Sequence, residues 1–164
     1  MDLTDYSLKD IILSGLKSEI DSRDIYERIA EQVSNAMLKD RFKFLSSEEE
    51  KHREFFENLY KNRFNGEEPI IPDKTPVPLP TIGFEDEEVH LSDILVQAMD
   101  AEMAAHEFYK SFAEIVKDDK GLKNTLLYFA SMEMGHYRLL ELEKKNAEEL
   151  EDYEQGHPMI HLGP

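Results

Sequence analysis

The sequence predicts an all-α protein, a four-helix bundle with one long crossover between its second and third helices. Residues 6–33 match residues 89–116 at a shift of 83 positions, and residues 38–52 match residues 122–136 at a shift of 84. Apolar residues recur at helical spacing in all four stretches. A proline-rich segment separates the two halves. Together these patterns indicate a duplicated helical hairpin.

In the first half, residue types typical of helix ends mark the start of the first helix and the end of the second helix. The first helix is predicted to begin after Ser7, because Asp10 three positions later resembles the partner in a capping box. The second helix is predicted from about Leu38 to Phe64. It should end at Asn65-Gly66, residue types that commonly follow a helix C-terminus. The apolar face of the first helix comprises Leu8, Ile11, Ile12, Leu16, Ile20, Ile29 and Val33.

Residues 66–90 are predicted to form an extended linker. They contain Pro69, Pro72, Pro76, Pro78 and Pro80, most of the seven prolines in the chain. At ~3.1 Å per residue, an extended segment of this length exceeds the ~37 Å of a 25-residue helix. It can therefore run along the whole bundle and leave the second and third helices parallel. A linker this long would also allow two chains to exchange halves.

The second half repeats the hairpin and extends it. The third helix is predicted from His90 or Ser92 to about Lys117, and the fourth helix follows the turn 118–121 and ends near Glu154. We therefore predict one domain, residues 1–154. The tail, residues 155–164, carries the apolar residues Met159, Ile160 and Leu162.

Composition excludes several function classes. The formal net charge of -17 argues against binding to a phosphate backbone, so no nucleic-acid partner is expected. Cysteine is absent, which excludes disulfides and thiolate-held metals. No apolar run reaches about 18 residues and the N-terminus does not resemble a signal peptide, so we expect no membrane span and a cytoplasmic location.

Each half carries a lone glutamate followed by an E-x-x-H pair. The six residues are Glu19, Glu49, His52, Glu102, Glu133 and His136. On a helix, the glutamate and histidine of such a pair are about 300° and about 4.5 Å apart, so both can point into one core. Four carboxylates and two imidazoles form the ligand set of a two-metal site in a four-helix bundle.

Two other pairs have the same spacing, Glu87 with His90 and Glu154 with His157. Neither has a helical register that faces a core, because one lies at the end of the linker and the other spans the glycine and proline that end the last helix.

Burial of four carboxylates is costly unless something neutralises them. Each would cost several kcal/mol or take up a proton, whereas two divalent cations bring four positive charges. Oxygen-rich ligation with one imidazole per ion favours iron or manganese, and zinc also accepts these ligand types. The alternative is that the glutamates lie on a solvated face and the histidines are ordinary surface residues.

The sequence resembles the ferritin-like diiron-carboxylate superfamily, and most closely the rubrerythrin family, over about residues 7–154. The segments that carry the resemblance are GLKSEIDSRDIY, SSEEEKH, QAMDAEMAAHEFY and ASMEMGH. The resemblance implies that Glu49 and Glu133 lie between the metals, with the histidines terminal. Tyr26 and Tyr109 resemble the tyrosines near the family's site. Alternatively, they are core tyrosines that donate to backbone carbonyls.

The sequence departs from the family pattern at two points. Rubrerythrins that reduce peroxide usually carry a further carboxylate one turn beyond the first ligand of the third helix, but no acid follows Glu102 until Glu107. His106 is either an unusual extra ligand in its place or a partly exposed helix residue. The rubredoxin-like domain of such proteins needs four cysteines, so we expect electrons to come from a separate rubredoxin-like partner.

Three functions fit this pattern. The first is a rubrerythrin-like oxidoreductase in which two metal ions, iron by preference, reduce peroxide or O2. The second is a ferroxidase that handles iron, and the third is a non-catalytic metal-binding bundle. We expect a homodimer, because the linker and the apolar tail offer surfaces for pairing; a dimer with exchanged halves is one form that it could take.

Overall fold

A computed structural model describes residues 1–80 and 91–156, with side chains up to residue 149. Four helices account for most of these ranges, which contain no strand. They are α1 (Leu8–Gln32), α2 (Ala36–Arg63), α3 (Leu91–Ile115) and α4 (Lys120–Gly156). The predicted all-α fold is confirmed. Helix α4 runs two residues beyond the predicted domain limit at 154, and the rest of the predicted tail lies outside the described ranges.

The end signals of the first hairpin act largely as predicted. The Ser7 side chain accepts from the Asp10 amide at 3.1 Å and the Asp10 carboxylate accepts from the Ser7 amide, which completes a capping box. Helix α2 ends where Asn65 and Gly66 adopt positive φ angles of 54° and 82°. Its start lies two residues before the predicted Leu38, because Asn35 caps the helix.

Contacts between side chains fix the direction of each helix. Tyr26 on α1 bonds Glu102 on α3, while Tyr109 further along α3 bonds Glu19 nearer the start of α1, so these helices are antiparallel. The hairpin partners α1 and α2 are also antiparallel, which makes α2 and α3 parallel. In the described residues, α1 and α4 each pack against α2 and α3 and lie diagonally to one another. This is the predicted one-crossover bundle.

The described part of the linker runs along α1. Val77 is buried in the core, and its amide donates to the Ser14 hydroxyl at 2.8 Å. That hydroxyl donates to the carbonyl of Asp10. Residues 81–90, which complete the predicted linker, lie outside the described ranges. None of the helices described is long and apolar enough to cross a membrane.

The hydrophobic core consists of two clusters, one toward each end of the bundle. The cluster that includes the start of α1 is rich in aromatic rings, which we call the aromatic cluster: Phe56, Tyr60, Phe108, Tyr109 and Phe112. The other, which we call the aliphatic cluster, contains the aromatic residues Tyr26 and Phe42 but consists mostly of aliphatic side chains: Ile25, Ile29, Ala30, Leu45, Ile94, Leu95, Ala98, Leu140 and Ala147. The duplicated sequence has therefore diverged into two chemically different ends.

One close contact shows how this divergence is accommodated. Gly15 on α1 lies directly against the ring of Phe56 on α2, and a Cβ at this position would fall 2.2 Å from the ring. The equivalent positions of the second half are occupied by Ala98 and the smaller Leu140, which are buried in the same cluster. The Phe56 ring is larger than the leucine at the equivalent position, and it leaves room only for a glycine opposite it on α1.

Candidate metal centre

The structure brings the six predicted residues together between the two core clusters. All six are buried: Glu19, Glu49, His52, Glu102, Glu133 and His136. The alternative of a solvated face is therefore wrong. Their ligand atoms form two groups, each lying within 4.8 Å. The His52 group contains Glu19, Glu49, His52 and Glu133; the His136 group contains Glu49, Glu102, Glu133 and His136.

Two glutamates lie at the centre of the arrangement. Glu133 places one oxygen 2.9 Å from Nδ1 of His52 and the other 3.0 Å from Nδ1 of His136. Glu49 does the same, at 3.3 Å from His52 and 3.2 Å from His136. Each of these carboxylates therefore faces both groups. This is the central position that the family resemblance implies for them.

The lone glutamates occupy the outer positions. Glu19 lies 3.6 Å from His52, and Glu102 lies 3.5 Å from His136. The duplication thus yields a pseudo-twofold site in which each half supplies one outer carboxylate, one central carboxylate and one imidazole.

Several buried polar atoms of the cluster make no hydrogen bond of good geometry, although Nδ1 of His52 lies 2.9 Å from Oε1 of Glu133. They are Oε1 of Glu49, Oε1 of Glu133 and both ring nitrogens of His52. An unsatisfied buried group costs about 1–3 kcal/mol, so native structures rarely leave several together. Metal ions between the carboxylate oxygens and Nδ1 of His52 would satisfy three of these atoms, and carboxylate and imidazole ligands suit divalent first-row metals. The residues present therefore fit a dinuclear centre.

Protons neutralise the cluster when no metal is bound. Burial raises the pKa of Glu19 and of Glu102 well above the usual range, which favours the protonated form of both outer carboxyls. Burial disfavours the charged imidazole of His52, but contacts with Glu133, Glu19 and Glu49 outweigh it and raise its pKa. The pKa of His136 rises for the same reasons, burial being outweighed by its carboxylate neighbours.

The pKa values of the two central carboxylates shift in the opposite direction and are lowered. Burial would raise the pKa of Glu133, but His136 and His52 outweigh it and hold it below the usual range. The pKa of Glu49 is also lowered, since the two histidines offset burial and the charge of Glu133. Two carboxylates thus face two imidazolium groups, a neutral arrangement that two divalent ions could replace by displacing protons.

The two tyrosines contact the outer carboxylates rather than backbone carbonyls. The phenol of Tyr109 donates to Glu19 at 2.6 Å, and that of Tyr26 donates to Glu102. Both rings are fully buried. Burial, with the nearby carboxylates, raises the pKa of each phenol, which keeps it a hydrogen-bond donor. Each tyrosine therefore holds the lone glutamate of the opposite half.

His106 lies outside the cluster. Its Nδ1 is 2.6 Å from the carbonyl oxygen of Ala130 on α4, and it belongs to neither ligand group. The interpretation as a partly exposed helix residue is therefore correct, and the extra-ligand interpretation is wrong. Of the other E-x-x-H pairs, Glu87 and both histidines lie outside the described ranges.

One buried carboxylate near the site was not predicted from the sequence. Glu48 is buried beside Glu49 and accepts from Lys51 one turn further along α2. The repeat gave no signal for it, because its equivalent in the second half is Met132. A carboxylate next to a ligand in the run of three glutamates was the only hint in the sequence.

Comparison with known proteins agrees with this geometry. The family model of rubrerythrin matches residues 10–90 and 93–159. Among solved structures, a hypothetical protein from Pyrococcus furiosus matches with a TM-score of 0.75 and 32% sequence identity, covering 90% of this chain and 94% of that chain. The comparison with curated proteins finds no match. The chain belongs to the rubrerythrin family.

Proposed function

We propose that this protein is a dinuclear-metal oxidoreductase that reduces peroxide or O2 with electrons from a separate donor protein. The observation that carries the proposal is the sharing of Glu49 and Glu133 between two buried groups of ligands. Iron is the preferred metal, because oxygen ligands predominate with one imidazole per ion. Two adjacent redox-active ions supply the two electrons that reduction of an oxygen–oxygen bond requires.

The protein's own residues would hold and orient such a pair. Glu49 and Glu133 would bind both ions, and each ion would also take the outer glutamate and the histidine of its group. Tyr26 and Tyr109 would fix the outer carboxylates through their phenol hydrogens, as hydrogen bonds to ligating carboxylates commonly do. The two core clusters exclude water from either end, which strengthens the electrostatic interactions within the site.

A second function, iron handling as a ferroxidase, is favoured by one observation. The position one turn beyond Glu102 is occupied by Ala105, and the neighbouring His106 bonds a backbone carbonyl instead of joining the ligands. Fewer anionic ligands stabilise oxidised ions less, so selectivity for peroxide would be reduced. A non-catalytic metal-binding bundle is the third alternative from the sequence.

Rapid mixing distinguishes these functions. Protein loaded anaerobically with two Fe(II) ions per chain would be mixed with hydrogen peroxide or with O2, and then supplied with a reduced rubredoxin-like donor. We expect peroxide or O2 to oxidise the Fe(II) ions on mixing, and the reduced donor to support repeated turnover. If neither peroxide nor O2 oxidises the Fe(II) ions, the non-catalytic alternative is supported. Uptake of many irons per chain would support iron handling.

Two variants make the assignment to this site specific. Glu102→Ala removes an outer ligand and should abolish the rapid oxidation. Glu107→Ala removes a partly exposed carboxylate from the same helix, where it pairs with Lys110, and should leave the oxidation unchanged. Equal loss in both variants would contradict the assignment.

A further inference from the structure

The two ligand groups have different surroundings, although the duplication makes their ligands equivalent. Resting on the proposed dinuclear site, we infer that the two bound ions exchange at different rates and that the ion in the His136 group is the exchangeable one. The difference comes from residues that touch the histidines, not from the ligands themselves.

The imidazole of His52 is enclosed by aromatic rings. Phe129 on α4 lies with its ring centre 4.5 Å from that of His52, and Tyr109 approaches at 5.9 Å. Phe129 is itself held at 4.9 Å by Phe55, next to the aromatic cluster. His52 is 0% exposed. Rotation of this imidazole away from its group would require several packed rings to move.

The imidazole of His136 has lighter cover. The position equivalent to Phe129 is Leu45, a smaller side chain in the aliphatic cluster. The ring of Phe44 approaches His136 edge-on at 6.4 Å, but Phe44 is itself 49% exposed. His136 is 4% exposed. Among the described residues, the rings beside His136 are this half-exposed Phe44 and His52, whose ring centre lies 6.0 Å away. Fewer aromatic rings therefore hold the imidazole of His136 than hold that of His52.

The helix surface beside each histidine shows the same difference. Gly135 precedes His136, is exposed, and would have no atom within 4 Å of an added Cβ. The equivalent residue before His52 is Lys51, whose ammonium donates to the buried Glu48. An exposed glycine therefore precedes one histidine, whereas an exposed lysine that pairs with a buried glutamate precedes the other.

These contacts predict the order of release. An ion leaves when a ligand rotates away and water takes its place, so a ligand with fewer packed neighbours is lost sooner. The side of the site that Phe44 covers would then be the route by which ions enter and leave. The His52 group keeps its ion longer, so that one ion stays in the site while the other exchanges.

Chelation of the loaded full-length protein tests this order. Protein holding two Mn(II) ions per chain would be mixed with an excess of a chromophoric chelator, and the release of Mn(II) followed by absorbance. We expect two phases of equal amplitude, one ion in each, that differ in rate by about tenfold or more, which corresponds to unequal barriers of the size set by a few packing contacts.

Reciprocal variants assign the phases. Phe129→Leu gives the His52 group the cover that the His136 group has, and should accelerate the slow phase by about three- to tenfold, as expected for the loss of one aromatic contact. Phe44→Ala should accelerate the fast phase and leave the slow phase unchanged. Met37→Ala removes another exposed side chain from α2 and should change neither phase.

The outcomes that overturn the inference are distinct. Release of both ions at a single rate from the unsubstituted protein would contradict it. So would an unchanged fast phase in Phe44→Ala, a surface variant that does not depend on repacking of the core. A protein that binds fewer than two ions would instead contradict the proposed function, whereas equal release rates from a two-ion protein would contradict only this inference.

Discussion

At the scale of single residues, the metal centre depends on groups that touch the ligands from outside. Tyr26 and Tyr109 each donate to an outer carboxylate, and both are buried where no water can replace the bond. The charges of the central carboxylates are balanced by the two histidines. If the site holds metal ions as proposed, these contacts would determine how tightly the ions bind and how binding depends on pH.

Removal of one phenol should weaken metal binding. Tyr109→Phe keeps the buried ring but leaves Glu19 without its donor, and loss of such a supporting hydrogen bond typically lowers metal affinity by about 10- to 100-fold. Competition between the protein and a chelator of known affinity for Mn(II) measures this. The exposed Tyr128 provides the control, since Tyr128→Phe should leave the affinity unchanged. Equal affinities in all three proteins would show that the phenol does not support the site.

The proton inventory predicts opposite pH dependences with and without metal. In metal-free protein, the raised pKa values of Glu19, Glu102, His52 and His136 mean that the folded state binds more protons than the unfolded state. Its free energy of unfolding should therefore fall as pH rises from about 5 to 8. Metal requires deprotonated ligands, so the stabilisation by Mn(II) should grow over the same range.

Thermal unfolding at pH 5.5 and pH 8, with a chelator and with Mn(II), measures both trends. The pKa of Glu50 is lowered to about 2, because its contacts with Arg53 and Arg23 outweigh burial. Its protonation therefore changes the free energy of unfolding only below this pH range. A metal-free protein that becomes more stable toward pH 8 would contradict the predicted proton uptake.

At the scale of helices, the duplication is maintained by compensating changes across each hairpin. Gly15 with Phe56 in the first half corresponds to Ala98 with Leu140 in the second. The half with the larger residue on its second helix has the smaller residue on its first helix. The helices of each hairpin therefore stay close, although the two core clusters differ in composition.

Repacking of this contact should be strongly coupled. Gly15→Ala improves helix propensity by about 1 kcal/mol, but the added methyl group collides with Phe56, and overpacking typically costs about 1–3 kcal/mol or more. We expect the single variant to be destabilised. In the double variant Gly15→Ala with Phe56→Leu, which reproduces the second half, the collision is absent.

Denaturant unfolding of the two single variants and the double variant gives the coupling free energy. The double variant should be more stable than the sum of the two single effects predicts. Additive effects would mean that the Gly15 backbone moves to relieve the contact.

The repeat made the ligands and the crossover predictable from sequence, because each signal occurred twice at a fixed spacing. The start of α2 at Ala36 was missed because the matched segment begins only at Leu38, although the cap itself is repeated: Asn35 and its equivalent Asp119 each accept from the backbone amide three residues further on. Glu48 and the bond from His106 to Ala130 were not foreseen, since both depend on how helices face each other. Periodicity gives the face of a helix that is buried, but not the partner that covers each side chain.

At the scale of the whole molecule, assembly distinguishes a catalyst from an iron store. The long linker and the apolar residues of the predicted tail motivate the prediction of a homodimer, although Met159, Ile160 and Leu162 lie outside the described ranges. Light scattering of the full chain should give the mass of two chains, each of 19.1 kDa. A hollow shell of many subunits would contradict this prediction and favour iron handling.

The central claim is that six buried side chains hold two metal ions between shared carboxylates. The most direct measurement is metal content combined with electron paramagnetic resonance of protein loaded with Mn(II). We expect two ions per chain with a magnetically coupled spectrum, and loss of the coupled signal in Glu133→Ala but not in Glu107→Ala. A single ion per chain, or two ions whose spectra are uncoupled, would contradict it.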